Sequence, residues 1–249
     1  MNLLGHSYIA IRVFPEGNKN LLIIGSLLPE SFPFVENNPF TFEEIHEGGE
    51  KFLEFLSKNY PEKQDLALGM LTHSVRFGAD SFNKKIERYA EPFREKLLWQ
   101  IADCSGVSLE TAEARLHNFL WMGVDFWILK EFPELVNEVS QAIKSVNIEE
   151  ISALLAAAFG KERKKVEKVF DFLFKEIYQP EDLTSREGLV RIWSRQAAGL
   201  PEGDKIDVSM AVEVASQCTR LLENDWRNII GLVEATAGEN LRPFIKMES

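Results

Sequence analysis

Apolar residues recur three or four positions apart along most of the chain, the spacing that lays one stripe down a helix. Leu66, Met70, His73, Phe77 and Asp80 form such a stripe. No run alternates apolar and polar residues as a half-buried strand would. The pattern predicts an all-α protein, a multi-helix orthogonal bundle of roughly ten helices.

Punctuation residues set the expected boundaries. Two short apolar helices, 4–14 and 19–28, flank a turn at Pro15–Asn18. Pro29, Pro33 and Pro39 then make 29–40 an irregular loop. Thr41 and Glu44 spell a capping box for a helix to about Asn59, with Phe42, Ile45, Gly49, Phe52, Leu53 and Leu56 on its buried face. Pro61 suits the first turn of a helix running to about Ser81. A polar helix at Lys84–Asp103, bent at Pro92, stops at Gly106, and Ser108 caps the next, to about Lys130. Further helices start at Pro133 and Asn147 and cover Lys161–Ile177, Ser185–Gly199 and Asp207–Glu234, with Pro201–Asp204 as a loop. Residues 1–130 read as a helical core and 131–249 as a helical extension packed on it.

Composition narrows the function. The 249 residues carry 28 Lys+Arg against 39 Asp+Glu, a net charge of −11. That field repels phosphate backbones and argues against double-stranded nucleic acid as a partner. The longest apolar runs, Leu21–Leu28 and Ile151–Gly160, fall short of the ~18–20 residues of a membrane span. The N-terminus lacks a basic start, and Arg12 interrupts its first apolar stretch, so no signal peptide is evident. Cys104 and Cys218 lack metal-ligand spacing, and the expectation is a cytoplasmic protein with reduced thiols.

The chemistry concentrates in the histidines. The only four are His6, His46, His73 and His117, each on an apolar helix face. Neutral imidazole is the commonest metal ligand, and carboxylates complete such sets. Burying imidazoles and carboxylates is costly unless each has a partner, and one shared divalent ion would satisfy several at once. Glu50 lies one turn beyond His46, and Asp80 shares the interior face of His73.

The residues Gly5-His6, Gly25-Ser26-Leu27-Leu28-Pro29-Glu30, His46, Gly69-Met70-Leu71-Thr72-His73 and His117 follow one another in a telling order. Over about residues 1–125 this order resembles the zinc-dependent phospholipase C family, whose superfamily also includes single-strand-specific nucleases. The resemblance implies a phospholipase-C-like all-α fold and a metal set of His6, Glu30 (where the family has Asp), His46, His73 and His117. It also shows departures: Phe77, Asn83 and Trp121 stand at ligand positions, and no processed N-terminal Trp is present. One divalent ion, most simply zinc, is therefore expected rather than three. Its best set is Glu30, His46 and His73, with His6, Asp80 and His117 in supporting positions. On a continuous helix, Asp80 would lie about 10 Å along the axis from His73, so sharing a metal requires a break, for which Gly78 is the candidate.

The activity implied is metal-dependent hydrolysis of a small phosphoester or phospholipid-like substrate, with water activated by the metal. Asp80 or Glu50 would serve as general base, and Arg76 would hold a phosphate oxygen. The alternative is a non-catalytic helical binding or scaffold protein of the same fold, with at most one structural metal.

Overall fold

The computed structural model describes residues 2–32, 35, 37–200 and 205–245, and among them it is helical with no strand. Pro33 and the expected loop at Pro201–Asp204 lie outside the described residues. The helices are α1 (Leu3–Val13), α2 (Lys19–Leu27), α3 (Phe42–His46), α4 (Gly49–Asn59), α5 (Gln64–His73), α6 (Asn83–Ile86) and α7 (Arg94–Ser105). They continue as α8 (Leu109–Glu131), α9 (Pro133–Ser145), α10 (Ile148–Phe159), α11 (Arg163–Phe172), α12 (Arg186–Ala197), α13 (Val208–Leu221) and α14 (Trp226–Ile245). Each anticipated start signal is in use. Thr41 and Glu44 close a reciprocal capping box, and Ser108, Asn147 and Ser185 each accept a backbone N–H of the first turn.

The centre of the bundle is α2 lying along α5, with α1 against both. Glycines permit the closeness. A Cβ on Gly25 would stand 2.1 Å from the Leu66 carbonyl oxygen, and one on Gly69 would stand 2.2 Å from that of Leu22. Both glycines belong to the motif that carries the family resemblance. Their role is to let two backbones touch, which sets the Glu30 end of α2 beside the His73 end of α5. Around this pair, α9 covers α2, α8 and α14 cover α1, and α13 lies on α8. Buried Trp226 anchors α14 by stacking on Trp127, with centroids 5.6 Å apart. One contiguous apolar core includes residues from both sides of position 130.

Several expected helices are broken. The 41–59 helix parts at Glu47–Gly48 into α3 and α4. Phe42, expected to be buried, is 46 % exposed, because α3 is a single turn that lays its ring on His46 (centroids 4.2 Å). The expected helix to Ser81 ends at His73, because Ser74 turns extended and its hydroxyl accepts from the N–H groups of Arg76 and Phe77. A 3₁₀ turn, Ala79–Phe82, then returns the chain. Within 29–40, Leu28–Ser31 is a 3₁₀ turn rather than loop. The 84–103 segment is α6, a 3₁₀ stretch at Glu87–Phe93 and α7, since Pro92 offers no N–H to an α-helical ladder. The 161–177 segment starts at Arg163 and widens in its last turn, Leu173–Ile177, to a π-helix. The 207–234 segment is two helices. Its break is the turn at 222–225, which holds the polar run Glu223–Asp225, and α14 continues to Ile245.

Candidate metal centre

Four segments converge. The first turns of α1 supply His6, the 3₁₀ turn after α2 supplies Glu30, α3 supplies His46 and the end of α5 supplies His73. The break at Ser74 adds Asp80, whose Oδ2 lies 3.4 Å from His73 Nε2 rather than a helix-length away. The break thus comes four residues before Gly78. Two three-donor groups result, each with all donors within 4.8 Å of one another: His6, Glu30 and His73, and His46, His73 and Asp80. The expected set of Glu30, His46 and His73 is thereby redrawn. His73 belongs to both groups, and His6 and Asp80 move from supporting positions to the centre.

The surroundings orient these donors. His73 Nδ1 lies 2.8 Å from the Ser26 carbonyl, which can only accept, so Nδ1 donates there and Nε2 is the nitrogen turned to the carboxylates, a ligand atom once its proton is given up. The His6 ring stacks on that of His73 at 3.7 Å and 10°. Gln196 of α12 donates to Glu30 Oε2 at 3.0 Å. Asp125 of α8, fully buried, accepts from the N–H groups of Leu4 (3.1 Å) and Gly5 (2.9 Å) and so clamps the turn that carries His6.

The shorter separations approach those of metal ligands, and the His73–Glu30 one is wider. His6 Nε2 is 3.6 Å from Glu30 Oε1 and 3.5 Å from Asp80 Oδ1, and His73 Nε2 is 3.9 Å from Glu30 Oε1. Charge-assisted hydrogen bonds are shorter, about 2.7–2.9 Å. Ligands held at ~2.0–2.2 Å in a tetrahedral shell stand about 3.3–3.6 Å apart. Buried His46 makes no hydrogen bond of ordinary geometry through Nδ1. The donor set of imidazoles and carboxylates fits zinc and other divalent transition ions.

Electrostatics follow from burial and proximity. Burial, reinforced by His73, lowers the His46 pKa to about 3, so the ring is neutral and open to a metal. For His73, burial opposes protonation, but Asp80 and Glu30 outweigh it and raise its pKa. Burial also opposes ionisation of Asp80, yet nearby positive charge, His73 included, holds it well below the usual carboxylate range. Glu30 is raised, chiefly by burial.

The centre opens into a pocket of about 250 Å³ with exposed Phe42 and Val75 at its wall. His117 lines this pocket but belongs to neither three-donor group. Its Nδ1 lies 3.9 Å from Glu87, and burial lowers its pKa to about 4. Glu50 and Arg76, expected at the chemistry, instead pair with each other at 3.5 Å on the surface, with Arg76 over the Phe77 ring. Neither lines the pocket. α4 turns Glu50 outward, and the turn after Ser74 carries Arg76 away from α5. Of the departures from the family pattern, Asn83 and Trp121 meet: the indole N–H donates to Asn83 Oδ1 at 2.7 Å. Phe77 packs on Phe244. Sequence reasoning missed Gln196, Glu87 and the pocket residues Arg115, Asn118 and Trp193. Compared with protein-family models, curated proteins and solved structures, the chain finds no match.

Proposed function

We propose that this protein is a metal-dependent hydrolase of small phosphoesters. The observation that carries the reading is a pair of three-donor groups sharing His73 at the wall of an open pocket. The resemblance to the zinc-dependent phospholipase C family supports it, as do the His6–Glu30 and His73–Asp80 separations of 3.6 and 3.4 Å, which are those of neighbouring ligands in a tetrahedral shell. His6, Glu30, His46, His73 and Asp80 would hold a divalent ion, which would supply Lewis-acid polarisation of a phosphoryl oxygen and a water of pKa about 7. The protein's own groups supply the rest. Arg115 and the amides of Asn83 and Asn118 line the pocket as donors to an anion. His117 lines the pocket with Glu87 3.9 Å behind it, and burial, which lowers its pKa to about 4, leaves it a neutral though weakly basic imidazole at physiological pH, the group placed to take a proton there. This gives His117 the base role expected of Asp80 or Glu50. The small pocket and acidic surface suit a headgroup-sized ester over a polymer. Free thiols at Cys104 and Cys218 are in keeping with a cytoplasmic location.

The test is metal content of tag-free protein by mass spectrometry, with hydrolysis of bis(p-nitrophenyl) phosphate followed before and after chelation. The expected result is about one equivalent of metal or more, lost in His73→Ala, and turnover lost on chelation. His117→Ala should keep its metal and lose turnover by about 10²-fold or more. Protein that binds no zinc, manganese or nickel and turns over no phosphoester overturns the reading.

One observation favours a second reading. The Trp121–Asn83 hydrogen bond occupies two positions at which the resemblance puts ligands, and so closes part of the site. In that reading the metal is structural and the pocket binds without catalysis. Tightly held metal with no turnover of any phosphoester distinguishes it.

A further inference from the structure

A second cavity, of about 370 Å³, lies between the chain just after the metal centre and α14, and it takes no part in the chemistry above. Phe82, Ile86 and Ile229 wall it and are buried, whereas Leu232 stands 58 % exposed beside them. Half-buried Tyr89 and two exposed cations, Lys85 and Arg88, complete the lining. The Lys85 ammonium sits 4.0 Å from the centroid of the Phe82 ring, which places its charge over the apolar wall.

These cations are not spent on neighbouring acids. Glu87, between them in sequence, is buried and turned to Arg94 (3.6 Å) and His117 (3.9 Å). Glu91 pairs with Arg94 at 3.2 Å. Among the described residues neither Lys85 nor Arg88 has a carboxylate within ion-pair distance. On a chain of net charge −11, two unneutralised cations beside an apolar cavity are a local reversal of sign. They complement a ligand with an apolar body and one negative end. The volume lies near the lower end of the ~300–1,000 Å³ of small-molecule sites, which suits one short chain better than a diacyl lipid.

We propose that this cavity is a binding site for a soluble amphipathic monoanion, a medium-chain carboxylate, with its chain against Phe82, Ile229 and Leu232 and its carboxylate at Lys85 and Arg88. The proposal does not depend on a metal or on hydrolysis.

The test is calorimetric titration of the intact protein with decanoate below its micelle concentration, beside decyltrimethylammonium of the same chain length. Saturable 1:1 binding of decanoate is expected, with the cationic amphiphile at least tenfold weaker. Lys85→Ala/Arg88→Ala should weaken decanoate binding tenfold or more, and Leu232→Asp should abolish it. These side chains are exposed, so the variants should melt with the wild type. The absence of saturable binding, equal binding of both amphiphiles, or variants that bind like wild type would overturn the proposal. So would capture of the protein by phosphatidylglycerol vesicles with the same residue dependence, which would make the face a membrane dock. A dimer in sedimentation velocity that Leu232→Asp dissolves would overturn it too, by showing that a second copy fills the cavity.

Discussion

Replacing Asp125 with Ala tests whether the metal centre depends on a clamp that touches no ligand. The carboxylate is fully buried in α8 and accepts from the N–H groups of Leu4 and Gly5, first-turn donors that α1 cannot satisfy itself. Above pH 7, where the carboxylate is ionised, hydrogen bonds to it contribute about 1.5–3 kcal/mol each, so two amount to about 3–6 kcal/mol. Burial of the carboxylate, which lifts its pKa to about 7, opposes part of this. The expected net loss is about 3 kcal/mol, or roughly 6–12 °C in melting temperature for a chain of this size. Asp125→Asn keeps one acceptor and should fall between. Because His6 follows Gly5 directly, zinc affinity should drop about 10–100-fold in Asp125→Ala, as when an outer-shell partner is lost. The assays are thermal unfolding by circular dichroism and zinc competition against a chromophoric chelator. An Asp125→Ala protein that melts within about 2 °C of wild type and holds zinc as tightly would refute the reasoning.

Three further outcomes follow from the same structure. With Asp125 at about 7 folded and ~3.9 unfolded, the native state holds a proton the unfolded chain has released between those values, so stability falls as pH rises from about 4 to 7. The slope, up to ~1.4 kcal/mol per pH unit, should be missing in Asp125→Asn when urea unfolding is compared across pH. Gly69→Ala would set a methyl against the Leu22 carbonyl, prise α2 from α5, cost about 1–3 kcal/mol in denaturant unfolding and weaken zinc binding by moving Ser26 from His73. Glu50→Gln and Arg76→Gln, at an exposed pair, should each change stability by less than about 1 kcal/mol and leave metal content and phosphodiester turnover within twofold; a larger loss of turnover would return them to the site.

Local chemistry was legible wherever a residue acts on its own neighbours. The capping box at Thr41, the caps at Ser108, Asn147 and Ser185, and the stop at Gly106 each work within one turn, so the sequence determined them and, through the apolar stripes, the all-α class. It also marked the imidazoles, because a histidine on an apolar face must find a partner. What it left undecided was where helices break. The Leu66–Asp80 stripe reads as one helix, and only the Ser74 hydroxyl, competing for the next turn's N–H groups, ends it and returns Asp80 to His73. Periodicity also cannot distinguish a residue facing a neighbouring helix from one facing solvent, which is why Glu50 and Arg76 were placed at the chemistry and Gln196 was not. Gln196 reaches Glu30 across 166 positions, and Asp125 reaches Gly5 across 120. Contacts at that distance depend on how closely whole helices pack, here on Gly25 and Gly69 letting two backbones meet, and that was decided by the tertiary structure alone.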